Sequence, residues 1–153
     1  MVIGTGADRE RLAAAKAMGM DHCINLDEQD PVAFAQELSD GEGADAVLEC
    51  SGAEAAAAMG LEIVRRQGKY TQIGLFGKPI TLDFERIAYK ELRVTGSLSQ
   101  RWTAWKRAIA IMAQGKVDLK AIISDKFPLS QWQAAFDKFE AREGLKILLD
   151  PKG

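Results

Sequence analysis

At 153 residues the chain has the length of one domain, enough to bury a real core. It is 47% apolar and 27% charged with a net charge of −2, an ordinary composition for a soluble protein. Its Lys and Arg are interspersed with Asp and Glu, which argues against a nucleic-acid stripe or a polybasic membrane patch, and its apolar runs are too short to span a bilayer.

Strand and helix signals alternate from the first residues. A strand is expected over 2–5, then a helix over 9–18 capped by Asp8, with Leu12, Ala15 and Met18 on one face and Gly19 as its stop. A short strand follows over 22–26. Asp30-Pro31 is a helix start, with Phe34 and Leu38 expected on its buried side, and Gly41 and Gly43 end it. The third strand is expected over 44–50. Ser51-Gly52 turns into an alanine-rich helix over 54–66, which Gly68 stops ahead of a strand over 69–76. A minor strand over 80–84, a helical turn near 86–90 and a main strand over 92–98 come next. Trp102, Trp105, Ile109 and Met112 follow helical spacing, and the tryptophans are expected to pack a core or a subunit contact. An extended segment over 122–127, a helix capped by Ser130 and a strand over 146–149 complete the chain. The fold class is α/β, a parallel sheet with crossover helices.

Cys23 and Cys50 are the only cysteines and form no Cys-x-x-Cys pair, so both are expected to be reduced, buried thiols. No signal peptide is visible, and the expected localisation is cytoplasmic. His22 is the only histidine. It lies in a strand, which leaves no His-based metal cluster and no Ser-His-Asp triad.

Gly4-Thr5-Gly6 has two readings. It follows a strand and precedes a helix, as a phosphate loop does, and Asp27 lies 21 residues past Gly6. Against this, Arg9 occupies the third glycine position, and the glycines also suit a strand end and a turn. Arg9 and Arg11 could meet an adenosine phosphate or form a solvated helix face. In open α/β sheets ligands bind beyond the carboxyl ends of strands. Here those ends are Thr5-Gly6, Cys50-Ser51-Gly52, Ile73-Gly74-Leu75 and Gly96-Ser97-Leu98, where glycine and serine serve a turn as well as a ligand.

Several segments, taken in order, resemble the zinc-type medium-chain alcohol dehydrogenases, nearest the sorbitol (polyol) branch. They are Arg11-Leu12-x-x-Ala15-Lys16-x-x-Gly19-x-Asp21, Val47-Leu48-Glu49-Cys50-Ser51-Gly52-Ala53-Glu54 and Gln67-Gly68-Lys69 with Ile73-Gly74-Leu75. Lys90-Glu91-Leu92-x-x-x-Gly96, Phe127-Pro128-Leu129 and Leu145-Lys146-Ile147-Leu148-Leu149 complete the set. The resemblance implies an incomplete, doubly wound Rossmann-like sheet whose first strand and Gly-rich loop are absent. Residues 1–121 would be part of a dinucleotide-binding domain, and residues 122–153 would return to an absent catalytic domain.

Under this resemblance residues 2–5 become the family's second strand, which sets aside the phosphate loop. Gly6 falls where NAD-preferring relatives carry an acid, and Arg11 lies beside the adenosine. Cys50 and Ser51 would flank the adenine end, and Ile73, Gly74 and Leu75 would line the nicotinamide. Leu98 and Ser99 match a further cofactor segment, although Ser99 replaces an arginine of polyol dehydrogenases. The implied cofactor is NAD or NADP. Gly6 tilts the choice to NADP and Asp8 works against it. Zinc is implied in the full-length enzyme, with no ligand in this chain and no catalytic residue either.

The implied reaction is hydride transfer from a small-molecule alcohol or polyol. The expected assembly is a homodimer or homotetramer, with no nucleic-acid or membrane partner. In the strand order 3-2-1-4-5-6, loss of the first strand leaves strands two and four without their shared neighbour. The chain is therefore expected either to be a piece of a longer protein or to have the gap closed by rearrangement or by another chain. The alternative function is a non-catalytic truncated paralogue that serves oligomerisation, pairing through the last strand or residues 80–84. A methyltransferase-like domain fits less well, lacking an acid at the end of its second strand.

Overall fold

Strands and helices alternate throughout, and the computed structural model describes residues 1–153. In chain order they are β1 (Ile3–Gly6), α1 (Arg9–Ala17), β2 (His22–Asn25), α2 (Pro31–Leu38), β3 (Ala44–Glu49), α3 (Glu54–Ile63) and β4 (Val64–Gln72). Then come α4 (Glu85–Tyr89), β5 (Arg93–Gly96), α5 (Trp102–Ala113), β6 (Ile123–Pro128), α6 (Trp132–Glu140) and β7 (Lys146–Asp150). They form two compact units. The inner unit is residues 29–100, and the terminal unit is residues 1–28 with 101–153.

All strand pairs are parallel. The inner unit has the sheet β3-β4-β5, and the terminal unit has the pairs β1-β2 and β6-β7. β1 pairs only with β2, and β3 only with β4, so each keeps one edge without a strand partner.

Local sequence explains the helix starts. Asp8 accepts from the Arg11 N–H at 3.0 Å, and Asp30 accepts from the Val32 N–H at 2.8 Å with Pro31 in the first turn. On α2, however, the buried residues are Pro31 and Ala35. Phe34 is half-buried and Leu38 is exposed, because the inward stripe is turned by one residue from the expected one. The inner core is Ala35, Ala57, Leu61, Val64 and Tyr70; Ile24 and Ala135 are buried in the terminal unit.

The end of α3 departs from expectation. The helix stops at Ile63, and β4 begins at Val64, not at 69. The cause is a distant lysine. Lys90 Nζ donates to the carbonyls of Leu61, Glu62 and Val64 at 3.0, 2.6 and 2.8 Å. These groups would otherwise be orphaned at the helix end. Arg65 Nε donates to Asp45 Oδ1 at 2.7 Å, and the Gln67 N–H donates to the Lys90 carbonyl at 2.6 Å. Ala44 pairs with Val64 but Ala46 pairs with Lys69, so the intervening residues bulge out of the ladder.

Other expectations fail for similar reasons. Residues 80–84 form no strand. The Thr81 N–H donates to Glu54 Oε1 at 3.4 Å, and Asp83 Oδ1 accepts from the Glu85 N–H at 3.1 Å. Ser130 caps nothing. It sits in a 3-10 turn over Leu129–Gln131, whose Leu129 carbonyl takes the first helical N–H, that of Trp132. The tryptophans do not enter a core of this chain. No residue of α5 is buried, and Trp102, Trp105 and Trp132 are all more than half exposed.

Lys90→Met should orphan the three carbonyls at the end of α3 and cost about 1–3 kcal/mol. Urea unfolding of the variant against the parent measures it. An unchanged midpoint would show that the lysine does not hold the α3–β4 junction.

Candidate functional site

The inner sheet ends level. Glu49 lies opposite Gln72, and Gln72 opposite Gly96. The chain therefore leaves one edge of the sheet three times, as Cys50-Ser51-Gly52, Ile73-Gly74-Leu75 and Ser97-Leu98-Ser99. The ladder continues one step beyond the strands. The Glu49 carbonyl accepts from the N–H groups of Ile73 and Gly74 at 2.8 and 2.9 Å, and the Gln72 carbonyl accepts from Ser97 at 2.9 Å.

The Glu49 side chain turns inward and is buried, with the residue 4% exposed. Its Oε1 accepts from the Ser51 N–H at 2.8 Å, the Ser51 hydroxyl at 2.5 Å and the Gly52 N–H at 3.1 Å. Its Oε2 accepts from Gly52 at 3.1 Å and from Gln72 Nε2 at 2.5 Å. Gln72 Nε2 also donates to the Gly74 carbonyl at 2.9 Å, and its Oε1 accepts from the Tyr70 hydroxyl at 2.8 Å. Burial pushes the Glu49 carboxyl up, but the hydrogen bonds from Ser51, Gly52 and Gln72 outweigh it and hold the group below the ordinary carboxylate range. The Tyr70 phenol is pushed up to about 12, first by burial and then by the Glu49 charge.

Gly52 and Gly74 lock the first two segments together. A Cβ on Gly74 would lie 2.1 Å from the Gly52 nitrogen, and one on Gly52 would lie 2.3 Å from the Leu75 oxygen. Gly52 also has φ of +67°, which a side chain disfavours. Both glycines are thus used for loop-on-loop contact, and neither is an open cradle for a ligand.

Of the nine residues singled out from sequence, Cys50, Ser51, Ile73, Gly74, Leu75, Leu98 and Ser99 come together at this sheet end. Six of them are exposed, and Gly74 is buried beneath. Leu75 and Leu98 are about three-quarters exposed. The exposed thiol of Cys50 corrects the expectation of buried cysteines, and Cys23 is half-buried. Strand alternation is the reason, since the inward turn of Glu49 sends Cys50 outward. Ser99 adopts φ of +58°. The shelf is apolar side chain and backbone with little charge, a set that suits a flat ring and a ribose.

Gly6 and Arg11 belong to the terminal unit. Gly6 ends β1, and a Cβ there would meet only Leu12 at 4.0 Å. Arg11 Nε pairs with Asp8 Oδ2 at 3.0 Å, and its Nη2 donates to the Gly144 carbonyl at 2.9 Å. Arg9 pairs with Glu28. The Arg11 backbone N–H, with its side chain, holds the Asp8 carboxyl below its usual value. No group of three or more His, Cys, Asp or Glu residues could hold a metal, so these residues do not fit a zinc site.

Sequence reasoning missed Glu49 and Gln72. The signal for Glu49 was a lone carboxylate closing an apolar strand two residues before Ser51-Gly52. Gln72 had none, because its partners are set by sheet register.

Comparison with known proteins agrees with this geometry. The zinc-binding dehydrogenase family matches residues 1–114, and the chain belongs to that family. It is 40% identical to a sorbitol dehydrogenase of Halalkalibacterium halodurans over 152 residues, which are 99% of this chain and 44% of that protein. It is 35% identical to a D-arabitol-phosphate dehydrogenase of Enterococcus avium over 98% of this chain and 43% of that one. An alcohol dehydrogenase structure from Thermotoga maritima superposes with a TM-score of 0.87 at 25% identity, covering 97% of this chain and 43% of that chain. The fold is Rossmann-like, as expected. The chain spans less than half the length of the curated relatives it matches.

Two outcomes test the site. Gly74→Ala should cost about 1–3 kcal/mol through the clash with Gly52, read as a lowered urea midpoint. For Glu49, the folded carboxyl titrates below the ordinary value of 4.5. Its stabilisation is therefore complete above that value and is lost as pH falls through the folded one. The stability gap between the parent and Glu49→Gln should be constant at neutral pH and close in acid. A gap that widens in acid would contradict the assignment.

Proposed function

We propose that this chain is the nucleotide-facing portion of a zinc-dependent alcohol or polyol dehydrogenase, using NAD or NADP. The observation that carries this is the level ending of β3, β4 and β5, which places Cys50, Ser51, Ile73, Leu75, Leu98 and Ser99 along one exposed, weakly charged shelf. Its place beyond the strand ends is where open α/β sheets take ligands. Residues 1–121 form the dinucleotide-binding part, and residues 122–153 belong with the catalytic domain. The substrate is a small secondary alcohol or polyol, and the protein works in the cytoplasm as a homodimer or homotetramer.

In this reading Ile73 and Leu75 support the nicotinamide through backbone and apolar contact, with Gly74 buried beneath them and Leu98 and Ser99 beside them. Cys50 and Ser51 flank the adenine end. Bound nicotinamide supplies the acceptor for a hydride from the alcohol carbon. The chain's own contribution is to fix the ring and exclude water from one of its faces. Gly6 and Arg11 select the ribose. Gly6 places no carboxylate against a 2′-phosphate, and Arg9 and Arg11 lie just beyond it. Asp8 is engaged by Arg11. The balance favours NADP.

The exposed Trp102, Trp105 and Ile109 on α5 favour a second reading, an oligomerisation module without catalysis. A monomer by light scattering would remove it.

Titration with NADPH and NADH, followed by quenching of tryptophan fluorescence, tests the cofactor assignment. NADPH should bind more tightly, and Gly6→Asp should weaken it about tenfold while sparing NADH. The same protein, as the cell makes it and supplied with zinc, should oxidise at least one member of a polyol panel. Absence of both binding and turnover would overturn the proposal.

A further inference from the structure

Building on that reading, we infer that Glu49 is a positioning residue for the cofactor, acting through the two strand-end segments and not by contact. Its carboxylate is the one group that holds Ser51-Gly52 and, through Gln72, Gly74. Its backbone carbonyl holds the Ile73 and Gly74 amides as well. One residue thus fixes both walls of the shelf, Cys50-Ser51 and Ile73-Gly74-Leu75.

A neutral acceptor would not serve here. Only a carboxylate accepts on both oxygens without presenting a donor. The surroundings are all donors: the Ser51 N–H and hydroxyl, the Gly52 N–H and the Gln72 amide nitrogen. A glutamine at position 49 would turn an NH2 toward the Gln72 nitrogen or the Gly52 N–H. Gln72 cannot rotate its amide freely to compensate, because Tyr70 donates to its oxygen and its nitrogen serves Gly74. Glu49→Gln therefore loses the Gln72 bond and one of the two Gly52 bonds, loosening both segments while preserving size and the backbone bonds to Ile73 and Gly74. Charge-assisted bonds of this kind are the strong ones, so their loss outweighs small adjustments nearby.

The test compares the parent chain, Glu49→Gln and Lys90→Met. The last destabilises the same unit at the α3–β4 junction, away from the shelf. In amide NMR spectra without ligand, Glu49→Gln should move the Ser51, Gly52, Ile73 and Gly74 signals together, and Lys90→Met should leave them in place. In NADPH titrations Glu49→Gln should bind about tenfold more weakly, with Lys90→Met unchanged. Glu49→Gln signals moving on only one segment, or equal loss of affinity in both variants, would overturn the inference. A parent chain that binds neither NADPH nor NADH would overturn the functional reading instead, and the coupled movement of the two segments would still decide whether Glu49 positions them.

Discussion

A buried carboxylate whose hydrogen-bond partners are all neutral is the constraint on which the inner unit's working end depends. Glu49 has left water, and its charge is held by the dipoles of Ser51, Gly52 and Gln72. Such a group costs stability unless every lone pair is met, and here the donors are supplied by the turns that need ordering. The requirement runs in both directions. The carboxylate stays charged because the loops donate to it, and the loops stay in place because it remains charged.

The two glycines follow from this. Once Glu49 draws Ser51-Gly52 and Ile73-Gly74 toward one point, the backbones approach closer than any Cβ allows. The shelf above them is then formed from what remains exposed: Cys50, Ser51, Ile73, Leu75, Leu98 and Ser99. Level strand ends supply the edge, and the carboxylate fixes two of its three segments.

Signals confined to a few residues were legible in the sequence. Asp8 and Asp30-Pro31 announce helix starts because a cap and its targets lie within three residues. The alternation of strands and helices, and the parallel sheet it implies, were likewise legible. Features set by distant partners were not. Residues 64–66 look helical until Lys90, 26 residues beyond Val64, takes the carbonyls at the helix end. Residues 80–84 have strand composition, yet they stay irregular, with the Thr81 N–H taken by Glu54 on α3. Ser130 has the identity of a cap, yet the backbone of Leu129 already does that work. At the site, glycine and serine marked the strand ends, while the network of Glu49, Gln72 and Tyr70 depends on sheet register and could not be read from spacing.

The central claim is that the strand-end shelf of residues 50–51, 73–75 and 98–99 is where a nicotinamide dinucleotide lies. Amide NMR mapping of NADPH added to the parent chain addresses it most directly. The account predicts saturable shifts centred on those residues. Saturable shifts that leave the ends of β3, β4 and β5 untouched would contradict it.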